Sequence, residues 1–321
     1  MKEDKKPTIV VSRCLGFCNC RYNGDMISDK FVEKLKKYVN YITVCPEVDI
    51  GLETPRKPIR LILEKEKIEL YEPHSGNVYT REMDEYSNEF FKSLEEVHGF
   101  ILKGRSPSCG IKNVKLYLGK EKTIGSKKSI GLFASYAIKN YPYLPIEEEG
   151  RLTNHAIREH FLIKVYIFFK FKEVEKSNSI KELIKFHSNN KYLLMAYNRS
   201  QLKHLGQIVA NDEKKHFNEI INDYEHHLGL AFSKIPRKGN YINTFMHIFG
   251  YFSDYLSKDE KEFVLDIFNK YKEDKIHMDV PLNILKTYAI KYNEEYLLNQ
   301  TIWSSYPEEL LDISDSGKEG I

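Results

Sequence analysis

The sequence predicts an α/β N-terminal domain with a mostly parallel, Rossmann-like sheet, followed by an all-α C-terminal domain. Up to residue 140, short apolar runs typical of buried strands alternate with amphipathic segments typical of helices. From Asn154 onward the apolar residues recur at helical spacing instead. Alternating strands and helices favour βαβ units with parallel strands.

Three apolar runs read as strands, at 8–14, 41–45 and 99–103. Helices are expected after Ser28, which can cap the first one, and over 82–97 and 129–140. The segment Ile59 to Tyr71 mixes aliphatic and charged residues, as a hairpin or an edge strand does.

A break in the pattern separates the two halves. Prolines at 142 and 145 precede the acidic run 147–149, so the predicted domains are 1–147 and 148–321. In the second half, Ser257 and Glu260 form a capping box before an apolar stripe of Phe263, Ile267 and Tyr271.

Composition limits the class of protein. The chain has 321 residues, 41% of them hydrophobic, which is enough for two domains with real cores. No apolar run approaches the ~20 residues of a membrane helix, and the charged N-terminus lacks a signal-peptide pattern. We therefore expect a cytoplasmic protein that does not bind membranes. The net charge of +3 is too small to predict nucleic-acid binding by itself.

All five cysteines lie within the first 109 residues, and the odd count argues against a disulfide framework. Cys14, Cys45 and Cys109 each lie at or just past the end of a predicted strand, so they should meet at one edge of a parallel sheet. Thiolates there would suit zinc or an iron–sulfur cluster. The alternative is that each thiol is a small buried hydrophobe. Cys18 and Cys20 could also join a four-cysteine zinc site.

Two further groups are candidates for chemistry. Glu47 lies two residues from Cys45 and could activate water, although a solvated loop carboxylate is the simpler interpretation. The segment 103–110 carries cations and hydroxyls that could hold a polar or anionic substrate, or form an ordinary surface turn. Its candidate substrate contacts are Lys103, Arg105, Ser106 and Ser108. No histidine is evident as a base for Ser106, which favours a positioning role over nucleophilic attack.

In the helical half, His187 and Lys191 could touch phosphate while Tyr192 and Tyr197 stack on bases. Such residues are more often ordinary surface or core side chains. Two other classes stay open: a zinc- or cluster-stabilised nucleic-acid-binding protein, and a redox sensor. No protein partner is evident.

Taken together, the motifs resemble those of the thiouracil desulfidase (TudS) family over about residues 7–145. They are Cys14-Leu15-Gly16, Cys20-Arg21-Tyr22-Asn23-Gly24, Cys45-Pro46-Glu47, Gly51-Leu52, Thr54-Pro55-Arg56 and Ser106-Pro107-Ser108-Cys109-Gly110. The second half resembles the YbgA-type helical domain, and the pairing is similar to the two-domain RudS-type desulfidases that act on 4-thiouridine in tRNA.

The resemblance implies a [4Fe–4S] cluster on Cys14, Cys45 and Cys109, with a fourth iron left for the sulfur of the substrate. It also implies that Glu47 and Ser106 are catalytic. The expected activity removes sulfur from 4-thiouridine, preferably in tRNA, or from a small thiolated base. The loop Gly16-Phe17-Cys18 departs from the family pattern, where many relatives have a second leucine and no extra cysteine.

Overall fold

The structure is a computed structural model that describes residues 5–121 and 125–316. Its strands lie in the N-terminal part of the chain and form two four-stranded sheets. In chain order they are β1 Thr8–Ser12, β2 Asn40–Val44, β3 Arg60–Glu64, β4 Lys67–Tyr71, β5 Gly99–Leu102, β6 Val114–Tyr117, β7 Ser126–Ser129 and β8 Ile146–Glu148.

The first sheet is parallel throughout and has the order β2-β1-β5-β8. Its central strand β1 carries Ile9, Val10 and Val11, all with 0% exposure. A strand covered on both faces needs a continuous apolar run, and this explains why its sequence does not alternate. The predicted Rossmann-like, mostly parallel sheet is confirmed.

The second sheet has the order β4-β3-β6-β7. Its β3–β4 hairpin, with Arg60 opposite Tyr71, confirms the hairpin expected at 59–71. The sheet as a whole was not expected from the sequence. Its edge strand β7 reads Ser-Lys-Lys-Ser and is largely exposed, so no apolar pattern marks it.

Four helices accompany the strands: α1 Lys30–Leu35, α2 Pro46–Asp49, α3 Thr80–Ser93 and α4 Leu132–Asn140. The N-cap of α1 is Asp29 rather than the expected Ser28, because the Asp29 carboxylate accepts the Val32 N–H at 2.9 Å. Helix α3 ends at Ser93 rather than 97, since Leu94 is already extended. Phe91 of α3 and Phe133 of α4 pack with ring centroids 5.0 Å apart in the core of this domain.

After β8 the regular elements of the described residues are all helices, which confirms the predicted all-α half. Its helices are α5 His155–Ser177, α6 Ile180–Asn189, α7 Lys191–Tyr197, α8 Arg199–Ala210, α9 Phe217–Ala231, α10 Lys238–Phe249, α11 Lys258–Lys272, α12 Asp279–Lys291 and α13 Glu295–Leu298. Short 3₁₀ helices occupy Gly250–Tyr255, Thr301–Trp303 and Glu308–Leu310.

Helix α11 begins with the expected Ser257–Glu260 capping box. The expected apolar stripe is only partly right: Ile267 and Tyr271 are buried, whereas Phe263 is 56% exposed and Val264 is buried in its place. With apolar residues at both positions, helical spacing alone could not select the buried one.

By its internal contacts the chain divides into one unit of residues 1–169 and 307–321 and a second of residues 170–306. The division at 147/148 made from composition stays a prediction. In the part of the chain that the structure describes, no helix combines the length and the apolar character needed to cross a membrane.

Candidate active site

The parallel sheet brings the predicted cysteine positions to one edge. Strand β1 lies between β2 and β5, and Ser12 at the end of β1 is opposite Val44 at the end of β2. Cys14 and Cys45 therefore begin adjacent loops, and the loop after β5 leads to Cys109. This arrangement confirms the expectation that distant cysteines meet beyond the carboxyl ends of the strands.

A cavity of about 430 Å³ lies at this edge, within the size range of small-molecule sites. Its cysteines are Cys14, Cys20, Cys45 and Cys109. Its other polar and charged side chains are Ser12, Arg21, Tyr22, Glu47, Arg56, Lys103, Arg105 and Ser106.

The thiols differ in burial. Cys14, Cys20 and Cys109 are 8%, 3% and 5% exposed, and all the cysteines are free. The thiol of Cys45 donates to the backbone carbonyl of Cys20 at 3.8 Å. Cys18 is exposed and does not line the cavity. A four-cysteine zinc site that includes Cys18 is therefore not formed.

Glu47 projects into the same cavity from α2, where Pro46 occupies the first helical position. Its Oε1 accepts the hydroxyls of Ser108 at 3.0 Å and Ser106 at 3.3 Å. Ser106 Oγ in turn accepts the backbone N–H groups of Ser108 and Cys109, both at 3.1 Å. The Ser106 oxygen thus accepts two hydrogen bonds, and its hydroxyl hydrogen is donated to Glu47.

The other oxygen of Glu47, Oε2, is paired with the guanidinium of Arg56. The side chains of Arg56 and Glu47 are 7% and 13% exposed. Arg56 Nη1 also donates to the Cys20 carbonyl at 3.1 Å, and Arg56 Nε is buried with no hydrogen-bond partner among the described residues. Arg56 is therefore part of the site, although its place in the Thr54-Pro55-Arg56 motif predicted no separate role for it.

The remaining candidates occupy different places. Ser108 is completely buried and holds Glu47, and it does not line the cavity. Lys103 lines the cavity, but its ammonium is paired with Glu149. Arg105 is exposed at the rim with a left-handed φ of 62°. Contact of these three residues with a substrate stays a prediction.

Close packing fixes the loop that carries Ser106 and Cys109. A Cβ on Gly131 would lie 2.5 Å from the Ser108 carbonyl oxygen, and one on Gly110 would lie 2.5 Å from Val114 Cγ2. Buried Glu148 accepts the Ile111 N–H at 2.9 Å. The hydroxyl and the thiol of this loop are therefore held in place before any ligand arrives.

Asp49 has a structural role that its position in the sequence does not reveal. Its carboxylate pairs with Arg13 at 2.9 Å and accepts the Cys45 N–H at 3.2 Å. It also accepts the Tyr86 hydroxyl at 2.7 Å. Asp49 thus joins the loops that follow β1 and β2, and so supports the positions of Cys14 and Cys45.

The surroundings of Cys20, Cys45 and Cys109 raise the pKa of each of these thiols. Burial raises the pKa of Cys109, and a hydrogen bond to Cys20 together with burial raises that of Cys45. A hydrogen bond to Cys14 raises the pKa of Cys20 to about 11. A metal centre held here would have to displace thiol protons, so its binding would release protons.

The donor set fits a cluster better than a single ion. Among the described residues, no group of three or more His, Cys, Asp or Glu side chains is placed to hold one metal ion. The cysteines instead surround a cavity. A polynuclear cluster needs this wider arrangement, because its thiolates bind different irons. Cys14, Cys45 and Cys109 fit that requirement.

The helical unit buries its two candidate tyrosines and leaves His187 and Lys191 half-buried. His187 Nδ1 is 3.1 Å from the hydroxyl of fully buried Tyr224. Tyr192 and Tyr197 are 2% and 6% exposed and so are not available to stack on bases. The structure supports the core interpretation of these residues over contact with phosphate and bases.

These features define an α/β domain with a thiol-lined cavity beside a buried carboxylate. Residues 9–149 match the family model of 2-thiouracil desulfurase, and residues 191–307 match that of a protein of unknown function, DUF1722. The chain belongs to the 2-thiouracil desulfurase family, with a YbgA-type domain following the desulfurase domain.

Two curated relatives match parts of the chain. YbbK of Bacillus subtilis (strain 168) is 33% identical over 109 residues, which is 32% of this chain and 72% of that protein. YbgA of Escherichia coli (strain K12) is 20% identical over 158 residues, 49% of this chain and 93% of that protein. Both are uncharacterized. A solved structure of the [4Fe-4S]-dependent thiouracil desulfidase TudS is 25% identical, with a TM-score of 0.36, and covers 46% of this chain and 93% of its own.

Proposed function

We propose that this chain is an iron–sulfur-dependent desulfidase that removes the sulfur of 4-thiouridine, preferably in tRNA, to give uridine and sulfide. The observation that carries the proposal is the meeting of Cys14, Cys45, Cys109 and Glu47 in one cavity. The three cysteines follow three different strands at one edge of the sheet, and Glu47 lies in α2 directly after Cys45. A core thiol needs no such neighbours, whereas a catalytic metal centre needs both ligands and an acid/base group.

Cys14, Cys45 and Cys109 would hold the [4Fe–4S] cluster. When bound, it supplies a Lewis-acidic iron for the sulfur of the substrate, which weakens the C–S bond without electron transfer. Family membership and the cluster dependence of TudS support this cofactor. The remaining chemistry belongs to side chains of the chain itself.

Glu47 is the group that takes the proton of the attacking water. The oxygen of that water forms the new bond to the ring carbon. The C–S bond breaks with its electron pair staying on sulfur, which leaves as sulfide, so nothing is oxidised or reduced. Ser106 both lines the cavity and donates to Glu47, so its hydroxyl can pass a proton between the carboxylate and the substrate. Arg56 and Ser108 hold the carboxylate in position.

Support for tRNA as the substrate comes from the pairing of the desulfurase domain with a helical domain. Arg105 stands exposed at the rim, where a phosphate of a longer substrate could reach it. Tyr22, also at the cavity and 44% exposed, offers a ring on which a pyrimidine could stack. Free 4-thiouracil or a thionucleoside is the alternative substrate, since the cavity is of a size that takes a single base. A cytoplasmic location stays a prediction.

The test uses the full chain, purified and reconstituted without oxygen. Sulfide release is measured with 4-thiouridine-containing tRNA and, separately, with 4-thiouridine and 4-thiouracil. We expect release from the tRNA, together with loss of the thiouridine absorbance. Release from the base or nucleoside alone would contradict the tRNA assignment, and release from none of the three would contradict the activity.

A further inference from the structure

The second sheet has one face in the core and one outer face, to which the proposed reaction gives no role. Its core-facing residues on β3, β4 and β6 are Leu61, Leu70, Val114 and Leu116. Because successive side chains of a strand point to opposite faces, their neighbours Arg60, Tyr71, Lys115 and Tyr117 lie on the outer face. This face is therefore rich in cations and aromatic rings.

The strand register brings three of its cations side by side. Lys115 of β6 is directly opposite Lys128 of β7. In the parallel β3–β6 ladder Leu61 pairs with Leu116, so Arg60, one position earlier, lies beside Lys115. Arg60, Lys115 and Lys128 thus form a basic row across three adjacent strands. Like charges on directly opposed residues destabilise a sheet, so folding alone does not favour this row.

The charge of the basic row is not offset by carboxylates. Among residues 5–121 and 125–316, no Asp or Glu forms an ion pair with a member of the row. The Arg60 guanidinium donates instead to the Lys120 carbonyl and lies 4.8 Å from the ring centroid of Tyr117. The side chains of Lys115 and Lys128 are exposed. The outer face therefore offers positive charge to a partner.

Protection of a sheet edge explains only part of this pattern. Lysines on an edge strand prevent pairing with another sheet, which accounts for Lys127 and Lys128 on β7. It does not account for Arg60 and Lys115, because β3 and β6 are the interior strands of the order β4-β3-β6-β7. An interior cation on an open face indicates an anionic partner instead.

The basic row lies at the end of the sheet that adjoins the thiol-lined cavity. Ile59 lines the cavity, and Arg60 follows it as the first residue of β3. Val114, the first residue of β6, lies so close to Gly110 that a Cβ there would be 2.5 Å from it, and Gly110 follows cavity-lining Cys109. A chain attached to a base in the cavity therefore has the basic row beside it.

We propose that the outer face of the second sheet binds the phosphate backbone of the RNA strand that carries the thiolated base. This inference rests on the proposed function, which puts that base in the cavity. Lysine and arginine neutralise backbone phosphates, and such contacts position a nucleic acid without reading its sequence. The face belongs to the desulfurase domain, so this binding does not depend on the helical unit.

The experiment compares the full-length wild-type protein with the double variant Lys115→Gln/Lys128→Gln. The matched control, Lys92→Gln/Lys139→Gln, removes two charges from exposed positions on α3 and α4. Fluorescence anisotropy gives the Kd of 4-thiouridine-containing tRNA at several salt concentrations. We expect Lys115→Gln/Lys128→Gln to raise Kd about tenfold and to lower the slope of log Kd against log salt by about 1.4–1.8, for two lost phosphate contacts. The control should match the wild type.

Competition identifies the class of partner. Oligouridine should displace the tRNA from the wild-type protein at lower concentration than poly-glutamate of equal charge, because the aromatic rings beside the cations favour a nucleic acid over a polypeptide. Equal competition by poly-glutamate would overturn the assignment to RNA in favour of an acidic protein. Equal Kd values and salt slopes in the two double variants would overturn the binding face itself.

Sulfide release separates this inference from the proposed function. In Lys115→Gln/Lys128→Gln the KM for thiolated tRNA should rise while kcat stays unchanged, and kcat/KM for 4-thiouracil should equal that of the wild type. An equal fall of kcat/KM with 4-thiouracil would overturn the role in RNA binding. Absence of sulfide release from any substrate, with the difference in Kd still present, would overturn the proposed function and leave the RNA-binding face standing.

Discussion

Arg56 and Glu47 form a largely buried ion pair in the wall of the cavity, with side-chain exposures of 7% and 13%. The pair occupies one carboxylate oxygen of Glu47 and leaves the other to Ser106 and Ser108. Arg56 also binds the Cys20 carbonyl, so a single guanidinium connects the carboxylate with the cysteine loop. The ion pair thus sets which oxygen of Glu47 is presented to a reacting group.

Replacement of Arg56 tests this connection. Arg56→Ala should destabilise the protein by about 3–5 kcal/mol, because it leaves Glu47 as a buried charge with no cation beside it. Arg56→Lys should fold and load its cluster but turn over slowly, since an ammonium cannot reproduce the forked contact with Glu47 and the Cys20 carbonyl. Urea unfolding and steady-state sulfide release measure the two effects. Wild-type kcat in Arg56→Lys would contradict the positioning role.

The two serines on Glu47 should differ in their effect on turnover. Ser106→Ala removes the hydroxyl that faces the cavity and should lower kcat about 10²-fold, the lower range for loss of a proton-transfer group. Ser108→Ala removes a buried hydrogen bond to Glu47 and should cost about 1–3 kcal/mol of stability with a smaller loss of kcat. Equal losses of kcat in both variants would contradict the assignment of proton transfer to Ser106.

The absence of a side chain at Gly131 should be required for the observed conformation of the loop that carries Ser106 and Cys109. Gly131→Ala puts a methyl group 2.5 Å from the Ser108 carbonyl oxygen, which the buried loop cannot avoid. We expect a loss of about 1–3 kcal/mol in unfolding free energy and incomplete cluster loading. Gly150→Ala is the control, because its Cβ would have no neighbour within 4 Å. Similar unfolding curves for Gly131→Ala and Gly150→Ala would contradict this prediction, because they would show that the loop can move to accommodate a methyl group at position 131.

The stability of the helical unit should fall in mild acid through His187. Burial, with a smaller contribution from Lys191, lowers the pKa of His187 to about 4, below the ordinary value of about 6.5 expected in the unfolded chain. Between these values the unfolded state binds the proton more readily, so unfolding is favoured as the pH falls. The stabilising contribution is fully present above pH ~6.5 and is lost progressively toward pH ~4.

Urea unfolding of the full chain between pH 7 and 4 measures this effect, with His187→Gln for comparison. The variant should be less stable at neutral pH, because it disturbs the contact with Tyr224, and its stability should depend less steeply on pH. His247→Gln is the control on an exposed histidine of the same unit. If the unfolding free energy of His187→Gln depends on pH as steeply as that of the wild type, His187 is not the cause of the pH dependence.

The sequence allowed the cysteines and Glu47 to be placed together because strand ends in a parallel sheet share an edge, a property of topology that short apolar runs reveal. The role of Arg56 could not be predicted, because a cationic residue in a proline-containing segment is typical of the surface. Its burial depends on contacts with residues distant in the sequence. Asp49 was missed for the same reason. The strand 126–129 was missed because an exposed edge strand needs no apolar residues.

The most direct measurement of the central claim compares wild type with Glu47→Gln, at equal iron and sulfide content, in sulfide release from 4-thiouridine-containing tRNA. Glu53→Gln, which changes an exposed carboxylate on the same segment, is the control. We predict that Glu47→Gln keeps the cluster spectrum and loses about 10²–10⁴-fold in rate, while Glu53→Gln matches the wild type. Wild-type sulfide release by Glu47→Gln would contradict the account.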